Sequence, residues 1–204
     1  MTMNSFLQAR AALDRFVADP TAMAAVEAIV MALARVLRPA GEPRGDGNGA
    51  AAGRGGTILI CGNGGSACDA AHFAEELTGK FRADRPPLAA LACTDPGHLT
   101  CVANDYGFER VFSRWVEALG RPGDALIVLS TSGRSKNILR AIESAKALGL
   151  ITVALIGRDG GELRGRCTHE VLVPGEASDR IQELHMLILH VLVERIEQVL
   201  GYAT

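Results

Sequence analysis

The sequence predicts a three-layer α/β/α sandwich built on a five-stranded parallel sheet, and three observations carry that prediction. Five short apolar runs recur along the chain, a segment of helical pattern follows them, and the runs are continuous rather than alternating in apolar character. Strands of that kind are buried on both faces, as in a parallel sheet covered by helices. At 204 residues the chain reads as one domain, 1–204.

Residues 1–38 read as an N-terminal helical extension. Met23, Val26, Val30, Leu33 and Leu37 recur at helical spacing, Asp19 is placed to cap, and Pro20 stands at the first helical position. Residues 39–56, PAGEPRGDGNGAAAGRGG, are rich in glycine and proline and read as a flexible surface loop. TILICG is the first strand, with a helix from about Ser66 to Thr78; PLAALAC is the second, with a helix around Phe108 to Leu119. DALIVLS precedes a helix from Asn137 to Leu148, ITVALIG a short helix near Glu162, and HEVLVPG is the fifth strand. The last helix, Asp179 to Leu200, is apolar nearly all round between Met186 and Val193, so a subunit neighbour is expected to help cover it.

A net charge of -2 with no lysine–arginine run offers no footprint for nucleic acid. No uncharged apolar run approaches the roughly 18 residues of a membrane span, the nearest being Leu184 to Val193. The N-terminus lacks the basic start and unbroken apolar centre of a signal peptide, so a cytoplasmic location is expected. Five cysteines, an odd number without a C-x-x-C pair, are expected to be reduced thiols.

In open α/β sheets, ligands sit at the carboxyl ends of strands, where loops lead into helix N-termini. Two loops have that position: GNGGS after TILIC, and STSGRS after DALIVL. Ser130, Thr131, Ser132 and Ser135 offer four hydroxyls around Gly133 to a phosphate dianion, and the helix N-terminus adds favourable partial charge. A turn that only caps the next helix is the plainer explanation of that string; a second glycine-rich loop at an equivalent strand end favours phosphate. The first loop also fits a relaxed dinucleotide fingerprint, Gly62-x-Gly64-x-x-Ala67. The acidic residue that would hold a ribose belongs about twenty positions on. Asp95, the nearest fit, lies too far along, and no nucleotide P-loop is present.

His72 and Glu76 are four apart and share one helical face, a spacing that suits zinc or proton transfer. His190 stands in LILHVLV, where an imidazole needs a partner; a satisfied core histidine is the plainer alternative. Gln182 and His190 are separated by a helical rise of about 12 Å, so both serve one ion only if two subunits supply them.

CGNGGSACDAAHFAEELTGKF, CVANDYGFERVFSRWVEALGRPGD, STSGRSKNI and DRIQELHMLILHVLVE together resemble the sugar isomerase (SIS) domain family, and most closely its phosphoheptose isomerases, from about Ile58 to Leu200. The resemblance implies a flavodoxin-like sheet, a homotetramer with active sites between subunits, and one zinc ion per subunit bound at His72, Glu76, Gln182 and His190. It implies isomerisation of D-sedoheptulose 7-phosphate to D-glycero-D-manno-heptose 7-phosphate, the first step towards nucleotide-activated heptose, with Glu76 and His190 as the acid/base pair. Asn63, Gly64, Gly65 and Ser66 would line the sugar with Glu76 and Gln182. Asn104 and Asp105 would approach its hydroxyls, and Ser130, Thr131, Ser132 and Ser135 would hold its phosphate. Asp179 would help order the start of the last helix. Ala67 replaces a histidine common in close relatives, and Lys80 replaces an arginine, keeping charge but losing the bidentate fork.

Two rivals stand beside this reading. A non-catalytic SIS-domain protein that binds phosphosugars, or associates with the replication initiator, is expected to lack the acid/base and metal quartet, and all four residues are present here. A nicotinamide oxidoreductase would be revived by tight cofactor binding.

Overall fold

In the computed structural model, residues 2–39 and 55–202 are described. The glycine-rich loop expected at 39–56 therefore lies mostly outside the described residues. The strands β1 (Ile58–Gly62), β2 (Ala90–Ala92), β3 (Ala125–Ser130), β4 (Ile151–Gly157) and β5 (His169–Val173) pair in parallel in the order β2-β1-β3-β4-β5. This is the flavodoxin-like order, and the chain switches direction across the sheet between β1 and β3.

Alternate strand residues feed two separate cores. Ile58, Ile60, Ile127, Leu129, Val153 and Leu155 pack under α1 (Thr2–Val17), α2 (Pro20–Leu37), α3 (Gly65–Thr78) and α7 (Ser178–Val199). Leu59, Cys61, Leu126, Val128, Ala154 and Ile156 pack under α4 (Pro96–Tyr106), α5 (Val111–Leu119) and α6 (Lys136–Ala147). Both faces of β1 and β3 are buried throughout, which is why those runs show no polar alternation.

Three local differences from the sequence expectation have physical causes. The second strand is only Ala90–Ala92, because Pro86 and Pro87 cannot donate to a ladder and this strand forms the sheet edge. A helix that the sequence reading omitted, α4, begins at Pro96, with the Asp95 carboxylate accepting from the His98 N–H at 2.6 Å. Asp95 is thus a helix cap rather than a ribose ligand. The N-terminal segment is two helices, separated where Asp19 caps α2 by accepting from the Thr21 N–H at 2.9 Å.

Among the described helices, α2 rather than the Leu184–Val193 run is long and apolar enough to cross a membrane. It is half buried, with Ile29, Val30 and Leu33 in the core. On α7, Leu187 and Val191 remain 40% and 37% exposed, so one chain does not cover this helix on all sides.

His185 faces inward on α7, and neither ring nitrogen has a hydrogen-bond partner among the described residues. Burial pushes its pKa down to about 4; the Ile156 carbonyl opposes the shift without reaching hydrogen-bond geometry. In the unfolded chain the same group titrates near 6.5. Between these values the unfolded state binds more protons, so the stability of the neutral buried form is lost as pH falls from about 6.5 to about 4. The loss amounts to about 3 kcal/mol. Urea unfolding midpoints taken from pH 7 to pH 4.5 should therefore fall more steeply for this chain than for His185→Leu; parallel slopes would exclude His185 as the cause.

Candidate active site

The two loops singled out in the sequence sit side by side. β1 and β3 are neighbours, with Gly62 in register with Leu129, so GNGGS and STSGRS emerge together at the carboxyl edge of the sheet, at its switch point. A reciprocal amide pair joins them: Asn63 Nδ2 donates to Asn137 Oδ1 at 3.0 Å, and Asn137 Nδ2 donates to Asn63 Oδ1 at 2.8 Å. Asn137 also accepts from the Ile138 N–H at 3.0 Å, which fixes the first turn of α6. Asn137 belongs to STSGRSKNI but is not among the site residues expected from the sequence. Its signal was a buried amide at the start of a helix opposite a second loop amide. Asn137→Ala leaves the Asn63 amide without its partner and is expected to cost about 1–2 kcal/mol and to raise the KM of a sugar phosphate several-fold. Urea unfolding and steady-state kinetics measure the two effects.

Within STSGRS the hydroxyls are not equivalent. Ser130 Oγ is buried and accepts from the Gly133 N–H at 3.0 Å, Ser132 Oγ accepts from the Arg134 N–H at 3.3 Å, and Thr131 Oγ1 donates to Ser178 Oγ at 3.3 Å. Ser135 flanks the N-terminus of α6 but makes no capping bond, which leaves its hydroxyl and the N–H groups of Lys136 and Asn137 for an anion, the Ile138 N–H being taken by Asn137. Gly133 has φ +63°, and a Cβ there would lie 1.9 Å from the Gly160 carbonyl oxygen. Only glycine lets the loops after β3 and β4 approach this closely.

The second group of side chains lies along α3 and α7. Each helix follows its strand back across the same face of the sheet, so the two run side by side in the same direction. Ser66 therefore meets Gln182 at the start, where Gln182 Nε2 donates to Ser66 Oγ at 3.4 Å. Further along, His190 meets His72 and Glu76. His72 Nε2 is 3.3 Å from Glu76 Oε1, His190 Nε2 is 3.4 Å from the same oxygen, and the two Nε2 atoms are 3.1 Å apart. The imidazoles meet edge to face, and Phe81 stacks on His190 with ring centroids 6.0 Å apart.

Glu76 forms the floor of this trio at 8% side-chain exposure, while His72 and His190 open to solvent at 44% and 36%. Burial raises the Glu76 pKa, and the two histidines oppose that rise. One donor atom from each of the three lies within 4.8 Å of the others, a group that could hold a metal ion. Two nitrogen donors and one carboxylate oxygen converging in this way fit zinc, and Glu76 Oε2 is buried without a partner among the described residues.

Within one chain the structure brings together three of the four ligands that the resemblance implies and keeps Gln182 apart from His190, as the helical rise between them requires. His190 reaches His72 and Glu76 within one chain, because α3 and α7 are neighbours in the same layer. Gln182 does not join them: it lies against Gly65 and Ser66, two turns earlier along α7. The ligand set assembled by one chain is therefore three residues rather than four. Asn104 and Asp105 fall in the opposite helix layer, on the exposed end of α4, where Asn104 Nδ2 donates to Asp105 Oδ1 at 2.7 Å. Asp179 lies in the first turn of α7 and accepts from the Arg180 N–H at 2.9 Å. Lys80 is exposed just beyond the end of α3.

The fold is a doubly wound parallel sheet with two loops side by side at its switch point, and the SIS domain family model matches residues 48–157. A phosphoheptose isomerase of Tolumonas auensis is 49% identical over 195 residues, covering 95% of this chain and 93% of that protein. One from Fusobacterium nucleatum is 56% identical over 147 residues, covering 72% of this chain and 76% of its own. The solved structure of a phosphoheptose isomerase from Francisella tularensis superposes with a TM-score of 0.82 at 36% identity, over 97% of each chain. The chain belongs to the phosphoheptose isomerase family of SIS-domain proteins.

Proposed function

We propose that this chain is an aldose–ketose isomerase that converts D-sedoheptulose 7-phosphate to D-glycero-D-manno-heptose 7-phosphate by proton transfer through an enediol. The observation that carries the mechanism is the convergence of Glu76, His72 and His190 within one chain. Interconversion moves one proton between C1 and C2 and another between the two oxygens, so a base must serve the carbons and an acid the oxygens. Glu76, with its proton affinity raised by burial, is assigned to the carbon-bound proton. His190, 3.4 Å away, serves the oxygens. In both directions Glu76 serves the carbons and His190 the oxygens, each alternating between acid and base. Ser130, Thr131, Ser132 and Ser135 hold the phosphate, and Asn63, Gly64, Gly65 and Ser66 border the sugar.

His72, Glu76 and His190 would hold zinc, one ion per subunit, and when bound the ion supplies positive charge to a developing enediolate oxygen. Gln182 is the fourth ligand of this reading only if it comes from another copy of the chain. Asn104 and Asp105, away in the opposite layer, likewise reach the sugar across a subunit boundary. A homotetramer with active sites between subunits meets both requirements, and the exposed Leu187 and Val191 on the helix of His190 supply apolar surface for such a contact. The free thiols of all five cysteines suit the reducing cytoplasm we assign to the protein.

The test is direct. Purified protein incubated with D-sedoheptulose 7-phosphate should yield the aldoheptose 7-phosphate by NMR, lose activity on chelation, and regain it with zinc. Binding of the ketose phosphate without any product would instead favour a non-catalytic regulator.

A further inference from the structure

We propose that Arg85 and Glu197 form a positioning strut that sets the register of α3 against α7 and so fixes Glu76 relative to His190. The proposal rests on the acid/base reading of those two residues. Arg85 lies in the connection between α3 and β2, with its side chain 1% exposed, and Glu197 on α7 is 4% exposed. Arg85 Nε donates to Glu197 Oε1 at 2.6 Å. Its Nη2 donates to the backbone carbonyl of Glu76 at 2.6 Å, and its Nη1 to the carbonyls of Leu77 at 2.7 Å and Pro86 at 3.2 Å.

Each contact has a physical role. α3 ends at Thr78, so the carbonyls of Glu76 and Leu77 belong to the last turn, which has no intrahelical donors. A guanidinium there supplies a donor to the Glu76 carbonyl, joins the Leu88 N–H at the Leu77 carbonyl, and places a positive charge at the negative end of the helix. Glu197 stands seven residues beyond His190, two helical turns, and therefore on the same face of α7. One cation thus ties the backbone of Glu76 to the stripe of α7 that carries His190. The trio needs this control, because its donor atoms are only 3.1 to 3.4 Å apart and lie on two helices joined by no short connection.

Stability alone does not call for such a pair. Removing two charges from water is costly, and a buried ion pair exchanged for apolar residues of similar volume often leaves stability unchanged or improved. What apolar packing does not reproduce is a planar fork that reads a carboxylate and three carbonyls at once. Lysine keeps the charge but not that geometry.

The experiment compares wild type, Arg85→Lys, and the double variant R85M/E197L. Both variants should lose kcat for D-sedoheptulose 7-phosphate by at least about tenfold while KM stays within about threefold, the signature of a misplaced reacting group rather than lost substrate binding. Calorimetric titration with zinc alone should show affinity lowered by about tenfold or more, as when partners that orient metal ligands are removed. The unfolding midpoint of the double variant should fall only by what the lost donors to the Glu76, Leu77 and Pro86 carbonyls explain, and the kinetics are read on the folded protein. Folded variants with kcat and zinc affinity equal to wild type overturn the strut, as does a lowered midpoint with unchanged kcat. If the double variant does not fold, Arg85→Lys decides by the same readings. A wild-type chain that binds zinc without isomerising the substrate overturns the acid/base reading instead, and the zinc affinities of the variants then decide the strut alone.

Discussion

Glu76→Gln removes the carboxylate while keeping nearly the same volume, and turnover of D-sedoheptulose 7-phosphate should fall by a factor on the order of 10² to 10⁴. Glu76 is the point where the trio meets, since one of its oxygens faces both imidazoles at 3.3 and 3.4 Å. An amide can neither take up the carbon-bound proton nor present an anionic oxygen to a cation. His190→Gln should produce a loss of the same order, because it removes the only group of the trio contributed by α7. The loss in each case should appear in kcat rather than KM, because the STSGRS loop, to which we assign the phosphate, is untouched. The double variant should be little worse than either single one, as expected when two groups act as a unit. Near-normal kcat in either single variant would remove that residue from the mechanism.

Gly133→Ala carries the largest expected structural effect. The new methyl would meet the Gly160 carbonyl oxygen at 1.9 Å, on a backbone with φ +63° that L-residues rarely adopt. The loops after β3 and β4 would have to part, breaking the bond from the Leu163 N–H to the Gly133 carbonyl at 3.0 Å. Strain and forced repacking together should cost about 3 kcal/mol, and the displaced hydroxyls should raise the KM for sugar phosphate about tenfold or more. Gly123→Ala is the control. Gly123 also has positive φ, at +95°, but no atom lies within 4 Å of its would-be Cβ, so only backbone strain of about 1 kcal/mol applies. Urea unfolding of the pair separates strain from collision, and equal midpoints would show that the close approach of the loops is not needed.

The sheet was legible because burial on both faces leaves its mark in consecutive residues: every position from Ile58 to Gly62 and from Ala125 to Ser130 is buried. The helix α4 went unread although Asp95 and Pro96 form a recognisable helix start, because its face turned to the core is short, with Val102 its one buried residue. The trio was legible residue by residue, through the spacing of His72 and Glu76 and the polar break that His190 makes in an apolar run. Its assembly was not, because a single helix shows which residues share a face but not which helix lies beside it. The parallel packing of α3 against α7 supplies that missing relation, bringing His190 to Glu76 and leaving Gln182 beside Ser66. Arg85 was hidden for the same reason, since a charged residue in a connecting segment carries no sign that its partner lies 112 residues further along.

In the proposed reaction Glu76, with His190 serving the oxygens, moves a proton between C1 and C2 of a ketose phosphate. Turnover of D-sedoheptulose 7-phosphate in deuterated water, followed by NMR, tests it most directly. The expected product is aldoheptose 7-phosphate bearing solvent deuterium at C2, formed by the wild type and not by Glu76→Gln. Product formed with full retention of the substrate hydrogen, or formed equally well by Glu76→Gln, would contradict it.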